Sequence, residues 1–350
     1  MKKYSFILIG FMFYTLPVFS QESDRPPDNF VEDVTNAGTS AAAFLRIGVG
    51  SRAQSMGNAA STFSSDATAM YWNPASIALL EGDVSIVFDH TDWLINTSLD
   101  YVGMVFQIPG VGSLGFSVLS FQAIDKQPVR TILEPEGTGE FYSASDLAIG
   151  VTYSALLTAR FSAGVTGKYI RQALWNESAS TMAFDLGIIY HTRLEGLNLA
   201  ASISNFGGNL ELEGRDLKRP FDEDEGNFSN DQLNVSLDTD QFTLPLTFRF
   251  GLGYVKQLGS IHRITMAVDL LNPSDNSESV NVGAEYTFWN TFSIRSGFVA
   301  LFEKDRTGGS TFGVGVSRKL LGGIGFSSAY SYADWGILNS THRVTISINR

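Results

Sequence analysis

The chain has 350 residues, of which 44% are hydrophobic and 12% aromatic, and it carries a net charge of −12 with 34 glycines and no cysteine. An intrinsically disordered protein is excluded, because such chains lack the apolar residues that build a core. The lack of cysteine excludes disulfides, thiolate metal sites and a cysteine nucleophile. The acidic charge argues against a nucleic-acid partner, because phosphate binding needs a basic surface.

The N-terminus has the pattern of a secretory signal. Two lysines precede an apolar stretch over residues 4–19, which ends at a site suited to cleavage. The sequence therefore predicts a signal peptide over residues 1–20, Sec export, and cleavage near Ser20/Gln21. Residues 21–40 are polar and contain adjacent prolines, which predicts a flexible lead-in. No later apolar run is long enough for a membrane-spanning helix, so a helical membrane bundle is excluded.

From about residue 83 onward, large apolar residues alternate with small, polar or charged ones, which is typical of β-strands with two different faces. In one example Phe248, Phe250 and Leu252 alternate with Arg249 and Gly251. The pattern recurs about fourteen times. Nine charged residues fall on the less apolar face of their strands, and we predict that they form a charge network inside a barrel: Asp100, Lys168, Asp185, Arg249, Arg263, Asp269, Glu285, Arg295 and Arg343.

A soluble β-sandwich and a membrane barrel share this alternation. The signal peptide, the strand number and the aromatic content favour the barrel. Connection lengths support it, because short turns alternate with longer connections around residues 122–142, 171–178 and 207–240. A sheet in lipid must close, because an open edge would leave amides unpaired. The sequence therefore predicts an all-β, transmembrane outer-membrane antiparallel β-barrel of about 14 strands over residues 83–350, in contact with outer-membrane lipid.

Residues 41–82 break the strand pattern. About fourteen strands enclose a lumen too wide for the barrel's own side chains to fill, since ~8 strands is the size that fills itself. We therefore predict that residues 41–82 fold into the lumen as a plug. The residues expected to form the plug motif are Arg46, Gly48, Gly50, Arg52, Met56, Gly57, Trp72, Asn73 and Pro74. Four of them, Arg46, Arg52, Trp72 and Asn73, could gate a path through the barrel or pin the plug to luminal carboxylates, and pinning is the interpretation we favour.

The run from Phe44 to Arg52, followed by Met56-Gly57, Asp66-Ala67 and Tyr71-Trp-Asn-Pro-Ala75, resembles the PorV/PorQ family of outer-membrane proteins. The resemblance implies a FadL-like architecture, in which an N-terminal segment folds into a fourteen-stranded barrel. It also implies a type IX secretion system of Bacteroidota, in which PorV-like members serve as accessory or shuttle proteins. The expected partners are then the secretion translocon barrel or secreted proteins with C-terminal signal domains.

A FadL-like transporter of hydrophobic small molecules across the outer membrane is the alternative function that the resemblance leaves open. Its pocket beside the plug would be lined by apolar plug residues, namely Phe44, Leu45, Ile47, Met56, Phe63, Met70 and Tyr71. The same residues fit ordinary packing of the plug, which is the interpretation we favour.

The longest predicted connection, residues 207–240, is rich in acidic residues that suggest either Ca²⁺ binding or partner docking. The spacing of an EF-hand is not met, because Gly226 falls one position too early. We interpret the segment as a solvated loop, with partner docking as the second interpretation. The docking residues would be Asp222, Glu223, Asp224, Glu225 and Asp231.

An outer-membrane hydrolase is the third class of function considered. The chain has four histidines, and Asp89, His90 and Asp92 form the external cluster that could serve such chemistry. We interpret these residues as ordinary polar residues of a loop. No catalytic residue, metal or cofactor is predicted, and the protein is expected not to be an enzyme.

Overall fold

The computed structural model describes residues 36–63, 65–222, 233–303 and 308–350. The predicted signal peptide and most of the predicted lead-in lie outside these residues, as do Glu223, Asp224, Glu225 and Asp231 of the acidic loop.

Seventeen strands occur in the described part of the chain, and fourteen of them form one antiparallel sheet that closes on itself. Closure follows from the first strand, β1, which pairs with both β2 and β17. The predicted barrel of about fourteen strands is therefore confirmed. The barrel strands are β1 (Val84–Asp92), β2 (Ser98–Ile108), β3 (Gly112–Pro128), β4 (Phe141–Thr158), β5 (Phe161–Leu174), β6 (Glu177–His191), β7 (Leu197–Gly207), β11 (Thr247–Leu258), β12 (His262–Pro273), β13 (Ser279–Phe288), β14 (Phe292–Phe298), β15 (Ser310–Lys319), β16 (Gly325–Asp334) and β17 (Ser340–Asn349).

Three short strands lie in the connection between β7 and β11. The first, β8 (Glu213–Gly214), pairs with the end of β6. The other two, β9 (Lys218–Phe221) and β10 (Leu233–Ser236), form a separate hairpin. All five predicted docking residues lie between β9 and β10, and the structure describes one of them, Asp222.

The two faces of each barrel strand differ as the alternation predicts. In β11, Phe248, Phe250 and Leu252 are exposed, whereas Thr247 and Gly251 are buried. Large apolar side chains facing outward would be costly in water and are favourable in lipid, so the outer surface suits a bilayer.

The connections at the two ends of the barrel differ in length. At one end they are short, for example 109–111 and 159–160, whereas the other end carries 129–140, 208–246 and 299–309. We call these the periplasmic and the external end, following the arrangement of outer-membrane barrels.

Some external connections are shorter than predicted. The one predicted over residues 122–142 is confined to residues 129–140, because β3 continues to Pro128. The predicted connection over residues 171–178 is a turn of Trp175 and Asn176, because β5 and β6 both continue toward the external end. The residues on either side of this turn are polar or small, which is typical of loops and also of strands that extend beyond the membrane. Residue type alone therefore does not separate the two.

The residues before β1 form short helical pieces rather than strands. They comprise a 3₁₀ turn at Ala43–Arg46, helix α1 (Ser51–Ser55), helix α2 (Ala69–Trp72) and a 3₁₀ turn at Pro74–Leu79. No helix among the described residues is long and apolar enough to cross a membrane. Helix α1 lies against β14 to β17, and Pro74–Leu79 lies against β3 to β6 on the other side of the lumen.

Candidate functional site

Luminal glycines allow the plug backbone to approach the barrel wall closely. A Cβ atom on Gly164 of β5 would lie 2.5 Å from the carbonyl carbon of Pro74, and one on Gly283 of β13 would lie 2.3 Å from the carbonyl oxygen of Met56. Such contacts are too short for any side chain, so these wall positions require glycine. The plug therefore fits against the wall at two opposite places.

Asn73 fixes the middle of the plug. Its side-chain amide donates to the carbonyls of Ser61 and Ile188 at 3.2 and 3.1 Å, and its Oδ1 accepts from the Ala75 amide at 3.0 Å. Pro74 follows as the first residue of the 3₁₀ turn, where a missing amide proton costs nothing. Asn73 thus ties two parts of the plug to each other and to β6 through backbone groups, rather than through the luminal carboxylates expected from the sequence.

Asp269 on β12 holds one turn of the plug. One carboxylate oxygen accepts from the amides of Ala60 and Ser61 at 3.0 Å, and the other accepts from the Ser61 hydroxyl at 2.7 Å. Arg249 of β11 lies beside it, with 3.9 Å between Nε and the carboxylate. Its guanidinium also lies over the Trp72 ring, 4.8 Å from the ring centroid. The buried carboxylate is thereby compensated by donors from the plug.

Glu285 on β13 joins the plug to the wall through an ion triad. Arg52 donates two hydrogen bonds to its carboxylate at 2.9 and 2.8 Å, and Arg295 of β14 donates a third at 2.6 Å. The Glu285 side chain is 1% exposed. A two-pronged bond from a guanidinium fixes orientation as well as distance, so Arg52 sets how the plug helix α1 faces the wall.

The sequence placed Asp89 with His90 and Asp92 in an external loop, and this placement is wrong, because all three residues lie on β1. Asp89 is buried and forms the third anchor of the plug. Its carboxylate accepts from the Gly50 amide at 3.0 Å and lies 3.6 Å from Arg343 of β17. Arg343 is fully buried and donates to the Gly48 carbonyl at 3.1 Å. The sequence did contain a signal for this position. If β1 extends to Asp92, alternation places Asp89 on the same face as polar Ser85 and on the opposite face from Phe88.

Gly48, Gly50 and Gly57 of the predicted motif all adopt positive φ angles, of 83°, 87° and 65°. At Gly48 a Cβ atom would also lie 2.9 Å from the Trp72 ring. The indole of Trp72 donates to the Val49 carbonyl at 2.9 Å. These glycines therefore set the turns that aim plug amides at the wall.

Two predicted network residues, Lys168 and Asp185, pair with each other at 2.8 Å, and neither forms an ion pair with a described residue of the plug. Arg263 faces the lumen on the same side of β12 as Asp269, and its Nε has no hydrogen-bond partner among the described residues. The luminal charges thus form several separate clusters rather than one network.

Asp100 is a correction, since the structure places it on the outer face rather than in the lumen. Its side chain is 56% exposed and lies 2.6 Å from Nδ1 of His90. The luminal face of β2 is instead apolar, with buried Leu99, Tyr101 and Val105. Alternation failed here because both faces of β2 carry apolar residues, and a carboxylate at a strand end can reach water from the outer face.

The apolar side of the lumen receives the apolar side of the plug. Leu99 and Ile170 belong to one buried cluster with Phe44, Leu45 and Met70. Fully buried apolar contact is the main source of packing energy. The plug thus meets an apolar wall on one side and charged groups on the other.

Asp89 and His90 cannot act together, because Asp89 faces the lumen and His90 faces outward. His90 lies instead between Asp92 and Asp100, at 3.3 and 2.6 Å. No group of three metal-binding side chains occurs in the part of the chain that the structure describes.

A cavity of about 500 Å³ lies between the plug and the external end. Phe44, Tyr71, Trp72 and Phe121 give it aromatic surfaces. Its cationic side chains are Arg46, Lys168 and Arg249. Of the plug residues expected around a transport pocket, Phe44, Leu45, Ile47 and Tyr71 line it, whereas Met56, Phe63 and Met70 do not. The plug forms the floor of the cavity.

The fold is shared with solved outer-membrane transporters. The Ralstonia pickettii toluene transporter TbuX is 14% identical, with 86% of this chain and 97% of that chain covered and a TM-score of 0.54. The Pseudomonas putida toluene transporter TodX is 12% identical, with the same coverage and a TM-score of 0.55. At this identity the likeness concerns the fold. No curated protein sequence matches the chain.

A family model described as type IX secretion system protein PorV matches residues 30–270. The match covers the plug, the barrel strands β1 to β7 and β11, and most of β12. Because it spans more than half of the sequence, the chain belongs to the PorV family of type IX secretion system proteins.

Proposed function

We propose that the protein is a non-enzymatic accessory or shuttle of the type IX secretion system, which binds exported proteins or the translocon at the outer membrane. The observation that carries the proposal is the PorV family match over residues 30–270. The proposal includes removal of residues 1–20 after Sec export, and N-terminal sequencing of the purified protein tests it by the expected start at Gln21.

The geometry of the plug supports a role in binding rather than conduction. The plug is held by Asp89, Asp269 and Glu285, three buried carboxylates on different strands. Each anchor accepts hydrogen bonds from the plug, so the plug leaves only by breaking several charge-assisted bonds together. A protein closed in this way acts through its surfaces.

The external connections supply such a surface. Every residue of the paired strands β9 and β10 is exposed. Its base is fixed by Asp216, whose carboxylate accepts from Asn176 at 2.8 Å and whose amide donates to Glu177 at 2.8 Å. The hydrogen bond from Asn176 lowers the pKa of the Asp216 carboxyl below its ordinary value. A fixed base with an exposed hairpin suits protein docking.

Affinity purification of the tagged protein from native outer membranes in mild detergent tests the proposal. Mass spectrometry should identify a large translocon barrel or proteins with secretion-type C-terminal domains. Recovery of the barrel with lipid or a small apolar molecule, and without protein partners, would contradict it.

The docking segment is tested separately by replacing residues 222–238 with a short Gly/Ser linker. We expect the barrel to assemble normally, because these residues lie outside the barrel strands, and partner recovery to fall at least tenfold. The matched control replaces residues 131–137 of the connection between β3 and β4. Equal partner recovery from both variants would remove the docking role of the acidic segment.

Transport of hydrophobic small molecules is the second candidate, and the external cavity is the observation that favours it. Its volume of about 500 Å³ and its aromatic lining suit a small apolar ligand. The solved toluene transporters share the fold. Titration of the purified protein with toluene and with a long-chain fatty acid, followed by tryptophan fluorescence, tests it. Saturable binding that Phe121→Arg abolishes supports transport, and no binding removes it.

A further inference from the structure

We propose that the chain enters its own barrel from the external end, so that residues 36–42, here called the strap, face the extracellular side and fasten the long β7–β11 connection over the mouth. The inference is independent of the secretion role, because it concerns the direction in which the plug runs through the lumen.

The strap is paired with the long external connection. Ser40 forms a parallel β-bridge with Thr243, and the Ala41 amide donates to the Thr243 carbonyl at 2.9 Å. Further along the same connection, Leu244 is buried in the cluster that contains Ala42 and Phe44 of the plug. Because Thr243 lies between β7 and β11, this pairing is at the external end.

A second external connection, residues 274–278, binds the strap from another side. The carboxylate of Asp275 accepts hydrogen bonds from the Ser40 hydroxyl and from Arg46, the latter at 3.2 Å. The Asp275 side chain is 3% exposed, so its charge depends on these donors. The side-chain amide of Asn36 also donates to the Ser274 carbonyl at 3.4 Å. Three strap or plug residues thus fix the chain at the external rim.

The other end of the plug leaves at the periplasmic end. Gln107, near the periplasmic end of β2, donates to the carbonyl of Ile77 at 2.6 Å. Beyond Ile77 the chain reaches Asp83 and Val84, whose amides donate to the carbonyl of the last residue, Arg350. Residues 36–83 therefore run through the lumen from one mouth to the other.

This route differs from that of a plug whose two ends both lie at the same mouth of the barrel. A plug whose two ends lie at opposite mouths cannot leave the lumen toward the periplasm unless the strap detaches from Thr243 and Asp275 and passes through the barrel. The plug therefore begins at the strap, and the contacts of the strap with Thr243 and Asp275, here called the latch, hold it at the external mouth.

Cysteine labelling tests the direction, because the native chain has no cysteine. Residues 36–39 are exposed, so Ala37→Cys should react with a membrane-impermeant maleimide on intact cells. Ile132→Cys, at the exposed tip of the β3–β4 connection, is the external control. Glu81→Cys, exposed between the plug and β1, is the periplasmic control and should react at least tenfold more after lysis than before.

Labelling of Ala37→Cys in intact cells to the extent of Ile132→Cys would support the proposal. Labelling of Ala37→Cys only after lysis, like Glu81→Cys, would overturn it. Reaction of Glu81→Cys but not Ile132→Cys in intact cells would also overturn it, because the end with the long connections would then face the periplasm.

A disulfide tests the pairing of the strap. Ser40→Cys with Thr243→Cys places the two thiols on bridged residues, so an added oxidant should link them and change mobility on a non-reducing gel. The control pair, Ser40→Cys with Glu81→Cys, joins opposite ends and should not link. Failure of the first pair in folded, heat-modifiable protein would overturn the latch.

Discussion

The two sides of the lumen hold the plug by different physics. The apolar wall, formed by Leu99, Tyr101, Val105, Leu119 and Ile170, buries the aromatic and aliphatic face of the plug. The charged wall, formed by Asp89, Asp269, Glu285, Arg295 and Arg343, faces plug arginine and backbone amides.

The two walls contribute differently to holding the plug. Apolar burial is non-directional, so the apolar wall supplies packing energy without fixing one position of the plug. Charge-assisted hydrogen bonds are directional, so the charged wall specifies where each plug amide lies. Burying the charges costs much of what their attraction returns, so we expect the charged wall to contribute more to position than to net stability.

The largest effect is expected from Glu285→Ala, which leaves Arg52 and Arg295 buried without their carboxylate. Removal of one partner from a buried ion cluster costs about 3–5 kcal/mol, and we expect unfolding in urea to shift by this amount. The control is Glu140→Ala at an exposed position, which should change nothing measurable.

Replacing all three residues of the ion triad shows whether the triad contributes net stability. Arg52→Met, Glu285→Leu and Arg295→Met together leave no unpaired charge, and we expect most of the stability lost in Glu285→Ala to return. A triple variant as unstable as Glu285→Ala would show that the charged wall supplies net stability. This result would contradict the expectation that the charged wall contributes mainly to the position of the plug.

The apolar wall is tested by Leu99→Ala. Leu99 is fully buried against the plug, and its truncation leaves a cavity that costs about 2–5 kcal/mol. The outward-facing Val102→Ala is the matched control on the same strand, and urea unfolding should separate the two. Equal losses would mean that the plug does not pack on this wall.

Asp269→Asn tests the backbone anchors with little change of shape. The side-chain amide of the asparagine keeps one acceptor oxygen. It lacks the negative charge that strengthens the hydrogen bonds donated by Ala60 and Ser61. Loss of charge-assisted bonds of this kind costs about 1.5–3 kcal/mol. Hydrogen exchange of the Ala60 and Ser61 amides should accelerate, and unchanged exchange would show that Asp269 does not hold this turn.

The smallest effect is expected from Asp100→Asn. Its pair with His90 is exposed on the outer face, and exposed pairs contribute about 0–1 kcal/mol. Urea unfolding should move by less than 1 kcal/mol, as for other exposed pairs. A loss comparable to that of Glu285→Ala would place Asp100 back among the structural anchors.

The barrel was predictable from the sequence because alternation and connection lengths follow from the bilayer itself. The inward direction of Glu285 and Arg343 followed from the same parity. Asp100 was misplaced because β2 carries apolar residues on both faces, so alternation does not show which face points into the lumen. Asp275 was not identified, because its role depends on a strap more than two hundred residues earlier, and no local pattern reports such a contact.

Single-channel recording of the purified protein in planar bilayers tests most directly whether the two walls keep the lumen closed. We expect the native protein to show no large stable conductance, because the plug is anchored on both sides, and Glu285→Ala to open intermittently. A large, stable conductance of the native protein would contradict a permanently seated plug.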